Sequence, residues 1–225
     1  MAGKKKIKKQ KARIEKEEKA EAVKITKKWG IFIAVGIVVA FSALFIAYNY
    51  YSANFEYLDL KFSKVRFGKL IFYHAKIPLL NQAGEIVNYY NLYIRNDPRE
   101  LRDIPINGNI KLKGKVIMAS DELKCEDNGI GGGELGGVIG LWSRVIQGTV
   151  NKTLAQEKDI SYVTCDSSEM IYLDSSVLIF KPGNVTSIDQ KGKDCYEVSV
   201  KDCEVMRAVE RFILGLYAHS KGLEI

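Results

Sequence analysis

Histidine occurs only twice in the 225 residues, as His74 and His219, and that scarcity argues against most hydrolytic triads, whose base is usually an imidazole. Neither stands beside a Gly-x-Ser-x-Gly nucleophile motif, and no spacing of carboxylates selects a pair. His74 falls in a strand-like stretch, and His219 at the end of a helical one, where imidazole favours the helix C-terminus. There is no Cys-x-x-Cys, which argues against a thioredoxin-like centre and leaves zinc a poor fit. No Gly-Lys-Ser/Thr closes a P-loop. No internal repeat is visible, and the composition is neither collagenous nor low in complexity. The sequence therefore selects no catalytic residue, and no metal or cofactor is expected.

Charge is missing from one place above all. Trp29 to Phe55 is a run of 27 residues without a charged side chain. Its inner part, Gly30 to Tyr48, spans roughly 28 Å as a helix, close to the hydrocarbon thickness of a bilayer. Trp29 marks one end and Tyr48, Tyr50 and Tyr51 the other, where amphipathic rings settle at headgroup level. A cleaved signal peptide has a shorter apolar part followed by small residues, whereas Tyr48-Asn49-Tyr50-Tyr51 follows here. The pattern predicts an uncleaved signal anchor over 29–51.

Positive charge is unevenly spread. The net +7 belongs to the tail, since residues 1–28 hold twelve Lys or Arg against four Glu, while residues 52–225 hold 22 basic and 23 acidic residues. The outer part is neutral and is not expected to bind nucleic acid. Residues 9–28 carry eight Lys or Arg and residues 52–71 carry four, which predicts a cytoplasmic N-terminus with residues 52–225 outside the cell membrane. The polybasic cluster Lys4, Lys5, Lys6, Lys8, Lys9 and Lys11 either sets topology alone or also binds anionic lipid headgroups or RNA by charge. Glu15 with Lys19 fits a solvated helix after residue 12.

After Phe55 the apolar period becomes two. Leu58, Leu60 and Phe62 alternate, as do Tyr90, Leu92 and Ile94, predicting a β-rich first half. Asp97-Pro98 reads as a helix start ended by Pro105. A strand is expected over Ile110–Ala119, then a polar and glycine-rich loop, then a helix carrying Leu135, Val138, Ile139, Trp142, Val145 and Ile146. Further strands are expected at Ile160–Thr164, Val177–Lys181, Val185–Asp189 and Tyr196–Val200, the middle two as a hairpin around Pro182-Gly183. The last element is an amphipathic helix with Asp202 as cap, a face of Val205, Met206, Val209, Phe212, Ile213, Leu216 and Tyr217, and Gly222 as stop. The whole reads as one α+β outer domain behind a single membrane helix.

Gly131 to Gly136 is a formal Gly-x-Gly-x-x-Gly, but about eleven residues separate it from Ala119. A dinucleotide fingerprint follows its strand directly. The segment reads instead as a flexible loop or as close packing at a helix start.

All four cysteines, Cys125, Cys165, Cys195 and Cys203, follow the apolar run. In an oxidising compartment at least one disulfide is expected, with buried free thiols as the alternative. Cys195 and Cys203 are poor partners, because an extended stretch between them holds them roughly 16 Å apart. The preferred pairing joins Cys165 to Cys125 or Cys203. Asn151-Lys152-Thr153 and Asn184-Val185-Thr186 are glycosylation acceptor patterns.

The run Tyr93-Ile94-Arg95-Asn96-Asp97-Pro98-Arg99-Glu100-Leu101 with Ile104-Pro105-Ile106, together with Cys195-Tyr196 and Glu210-Arg211-Phe212, resembles segments of uncharacterised membrane-anchored archaeal proteins. The resemblance implies an archaeal cell envelope and brings no activity with it.

Three functions are consistent with the sequence. One is an envelope protein whose outer domain binds or organises a partner at the cell surface. Another is a membrane-tethered hydrolase using carboxylates or a thiol. The third is an accessory subunit of a membrane complex, with Gly30, Ala34, Gly36 and Ala40 letting another membrane helix approach.

Overall fold

The structure is a computed structural model that describes residues 35–81, 83–120, 123–166 and 174–224. The basic tail, Trp29, Gly30 and Ala34 lie outside the described residues. The chain divides after Ala53 into two units. In the first, helix α1 (Val35–Ala53) is long and apolar enough to cross a membrane. Phe41, Leu44, Phe45 and Ile46 are exposed along it, as are Tyr48, Tyr50 and Tyr51.

The second unit is mixed α+β, with a β-rich first half and a C-terminal helix. It opens with four antiparallel strands in chain order, β1 (Asn54–Tyr57), β2 (Leu60–Phe67), β3 (Leu70–Leu80) and β4 (Ile86–Ile94). The period of two puts Leu60, Phe62, Ala75, Ile77, Leu92 and Ile94 on the buried face. A 3-10 turn at Leu101–Asp103 then leads into a second sheet.

That sheet contains β5 (Ile106–Asn107), β6 (Lys115–Ser120), β7 (Arg144–Thr149), β8 (Ser161–Tyr162), β9 (Ser176–Pro182), β10 (Ser187–Gly192) and β11 (Cys195–Val200). Its order is β5-β10-β11-β9-β6-β7-β8. The five strands from β11 to β8 are mutually parallel, and β10 runs antiparallel to β11. Helices α2 (Asn128–Ile139), α3 (Lys152–Lys158) and α4 (Val205–Lys221) complete the domain. Most of the core joins both sheets with α2 and α4 through residues such as Phe62, Leu92, Leu135, Leu178 and Phe212. A smaller cluster of Ile117, Ala119, Val163, Val177, Ile179 and Cys195 fills the opposite face of the parallel sheet.

Several expectations are corrected. Asp97-Pro98 starts no α-helix: the Asp97 side chain accepts the Arg99 N–H in a local turn, and only the 3-10 turn follows. Residues 110–113 are not strand, because their donors are taken by side chains. The N–H groups of Ile110, Lys111 and Lys113 donate to His219 Nδ1, the Tyr196 hydroxyl and Ser176 Oγ. The glycine-rich stretch is itself helical, and Val145 and Ile146, assigned to a helix by their spacing, lie in β7. The expected β9–β10 hairpin does not form. Ser176 to Phe180 are buried without alternation, as in a central strand, and β9 takes β6 and β11 as parallel neighbours. Glu204, not Asp202, precedes α4. At the other end Gly222, at φ +70°, stops the helix: its N–H donates to His219 O, and the Leu223 N–H to Ala218 O.

Candidate functional site

The parallel strands follow one another in space as third, second, first, fourth and fifth when β6, β7, β8, β9 and β11 are numbered along the chain. Successive connections therefore leave β6 and β9 in opposite directions. This creates a switch point between them, and crevices of this kind at strand carboxyl ends commonly hold ligands.

A crevice of about 260 Å3 lies there. Met118, Ala119 and Ser120 reach it from the end of β6, Gln147 to Thr149 from the end of β7, and Phe180 from β9. Asn128 and Gly132 of α2 and Val205 and Val209 of α4 form another wall, with Leu154 and Lys158 of α3 opposite the sheet ends. The walls are mostly apolar. Asn128 donates its Nδ2 to the Leu123 carbonyl, while its buried Oδ1 has no partner among the described residues.

Glycine decides how closely α2 and α4 approach. A Cβ on Gly131 would meet Val205 Cγ1 at 3.0 Å and Val209 Cγ2 at 3.3 Å. At Gly132, which faces the crevice, a Cβ would meet nothing within 4 Å. The Gly-x-Gly-x-x-Gly pattern thus serves close helix packing and open space.

All four cysteines are paired, as Cys125–Cys203 and Cys165–Cys195. Cys195 does not bond Cys203, whose Cα lies beyond the intervening strand β11. The preferred partners for Cys165 were wrong, because β9 brings β11 into the sheet and places Cys195 at the end of that strand nearest the Cys165 loop. Cys125–Cys203 ties together the segments that lead into α2 and α4, two of the three helices lining the crevice. Among the described residues no group of three or more metal-ligating side chains comes together.

The three segments on which the archaeal resemblance rests converge on α4. Glu210 is fully buried and accepts the N–H groups of Arg95 and Asn96 and the Asn96 side-chain amide. Arg211, also buried, donates Nε to the Ile104 carbonyl. Phe212 meets Tyr196 edge to face, with centroids 6.2 Å apart. This clasp fixes both ends of the linker between the sheets, so its chemistry is architectural.

Burial pushes the Glu210 carboxyl upward against the pull of its three N–H donors. Burial, and then the charge of Glu210, push Glu134 of α2 up to about 7, with Arg95 opposing. Glu134 does not line the crevice.

His74 bonds Asn91 at 3.0 Å and stacks on Tyr93 at 4.6 Å. His219 accepts the Ile110 N–H on Nδ1, and burial together with Arg211 and Lys111 keeps its pKa low. Both glycosylation candidates are exposed, but Asn151 Oδ1 caps α3 through the N–H groups of Thr153 and Leu154, and Thr186 beside Asn184 is buried against Glu204. Periodicity carried no signal for the crevice or the clasp, since both join residues distant in sequence.

No family model, curated protein or solved structure matches the chain.

Proposed function

We propose that this is a single-pass envelope protein with its N-terminus in the cytoplasm and residues 54–225 outside, where the domain binds or organises a partner at the cell surface. One combination carries the reading: an exposed apolar helix of membrane-spanning length precedes a domain whose four cysteines are all closed in disulfides. Structural disulfides persist in oxidising compartments and are rare in the cytosol. The excess of Lys and Arg before the helix supports the same direction. The polybasic tail lies beside anionic headgroups in this arrangement and gains affinity from them.

Epitopes fused at the two ends test the orientation. Protease added to intact cells removes the C-terminal epitope and spares the N-terminal one. Protection of the C-terminal epitope, with the same epitope cleaved after lysis, overturns the orientation.

A further inference from the structure

We propose that the tip of the β2–β3 hairpin, Arg66 to Ile71, docks on a membrane surface that carries anionic lipid, the same bilayer that α1 crosses. The inference rests on the membrane-anchor reading but not on which side of the membrane the domain occupies.

Strand register makes the tip project. β1 reaches along β2 only as far as Ser63, which pairs with Asn54, and β4 reaches along β3 only as far as Tyr73, which pairs with Ile94. Lys64 to Phe67 and Leu70 to Phe72 therefore continue past both neighbouring strands as a two-stranded ribbon. Gly68, at φ +61°, takes the first position of the two-residue turn and sets Phe67 directly opposite Leu70.

The ribbon leaves apolar side chains in water. Phe67 is 57% exposed, Leu70 55% and Ile71 37%. Ile71 and its partner Arg66 share the face that is buried further along the sheet, yet both are exposed here because the core has ended. Phe72 and Tyr93 meet the Phe67 ring edge to face at 5.7 Å, which backs the tip with a rigid aromatic cluster.

Charge selects the occupant. Leu60 to Gly84 contains five Lys or Arg and no Asp or Glu, and Lys64, Arg66 and Lys69 are exposed around the turn. Apolar side chains can enter the acyl boundary while the long cationic ones keep their heads among lipid phosphates. A soluble polyanion would use the cations and leave Phe67 and Leu70 without a role. The opposite end of the sheet also exposes Leu80, Ile86 and Val87, but Glu85 stands beside them.

Reach is short. Asn54 directly follows the last residue of α1, and Phe67 lies four positions beyond its cross-strand partner Ser63, so the tip stays within about 15 Å of the point where the chain leaves the anchor. That bound comes from the strands alone and holds for any orientation of the domain.

The test places the photoreactive residue p-benzoyl-phenylalanine at Leu70, at Val87 or at Phe41 in the full chain, reconstituted in nanodiscs of phosphatidylcholine with or without phosphatidylglycerol. Lipid adducts are counted by mass spectrometry. Phe41, exposed on α1, reports the anchor, and Val87 reports an exposed apolar position roughly 30 Å along the sheet. Position 70 is expected to form adducts on discs with phosphatidylglycerol well above position 87. Each Lys or Arg near an anionic surface is worth about fivefold in partitioning. Arg66→Glu combined with Lys69→Glu therefore lowers the position-70 yield at least about tenfold and leaves position 41 unchanged. Raising the salt to about 1 M weakens the natural sequence in the same direction, with no substitution to disturb folding.

Adducts at position 41 with none at position 70 overturn the docking and leave the anchor standing. Equal yields at positions 70 and 87, or a position-70 yield unaffected by phosphatidylglycerol, by salt and by the double charge reversal, also overturn it. Cross-linking of position 70 to added polyuridylate in place of lipid overturns it in favour of nucleic acid. Absence of adducts at position 41 refutes the anchor itself, and the docking with it.

Discussion

Glu210 accepts two hydrogen bonds from Asn96, one from the backbone N–H at 3.1 Å and one from Nδ2 at 2.8 Å, across 114 residues of sequence. This pair fixes the end of the antiparallel sheet to α4. Replacing Glu210 with Gln turns an amide toward donors that need an acceptor, and a buried mismatch of that kind costs about 2–4 kcal/mol. Asn96→Ala removes one donor and shortens the side chain, with a smaller loss of about 1–2 kcal/mol. Urea unfolding of the domain measures both. A loss below about 0.5 kcal/mol for Glu210→Gln would show that the clasp contributes little.

Glu134 gives stability a pH dependence with a definite sign. Its folded pKa of about 7 lies above the ordinary 4.5, so between those values the folded protein holds a proton that the unfolded chain has released. Stability from this group is full below about pH 4.5 and falls as pH rises toward 7, by no more than about 3 kcal/mol. Glu210, shifted in the same direction, adds to the slope. Glu134→Gln is expected to flatten the curve and to stabilise the domain at pH 8. An unchanged curve, measured by denaturant unfolding from pH 5 to 8, assigns the slope elsewhere.

The Cys125–Cys203 bond closes a long loop, with a sequence separation of 78. Chain entropy alone gives such a crosslink about 4 kcal/mol, so Cys125→Ser paired with Cys203→Ser lowers the unfolding free energy by up to that amount. Non-reducing peptide mapping of exported protein is expected to recover Cys125 with Cys203 and Cys165 with Cys195. Recovery of a Cys195–Cys203 peptide contradicts the sheet order, because β11 would no longer be extended.

Two glycines of α2 provide opposite outcomes from one substitution. A Cβ at Gly133 meets nothing within 4 Å, whereas one at Gly131 strikes Val205 at 3.0 Å. Gly133→Ala therefore stabilises by about 1 kcal/mol through helix propensity. Gly131→Ala is expected to lower the thermal midpoint, because α4 must shift and both helices are tied at their starts. Two stabilising results would mean that α2 and α4 have room to separate.

The sequence by itself determined whatever depends on local pattern. The uncharged run carries the helix Val35–Ala53, which water cannot solvate well, alternation from Leu60 to Ile94 makes half-buried antiparallel strands, and the apolar stripe from Val205 to Leu216 makes a helix with one core face. Those signals repeat every two or every three to four residues, and near neighbours in the chain suffice to produce them. Only the tertiary structure decided the rest. Val177–Lys181 and Val185–Asp189 read as two arms of a hairpin, yet burial on both faces sends the first to the centre of a parallel sheet. Glycine-rich residues 129–137 have poor helix propensity and become helical because packing against Val205 and Val209 outweighs it. The partners of Cys165 and of Glu210 lie 30 and more than 100 residues away. Such contacts are fixed by how the sheets and helices stack, and no period in a single chain encodes a distance of that kind.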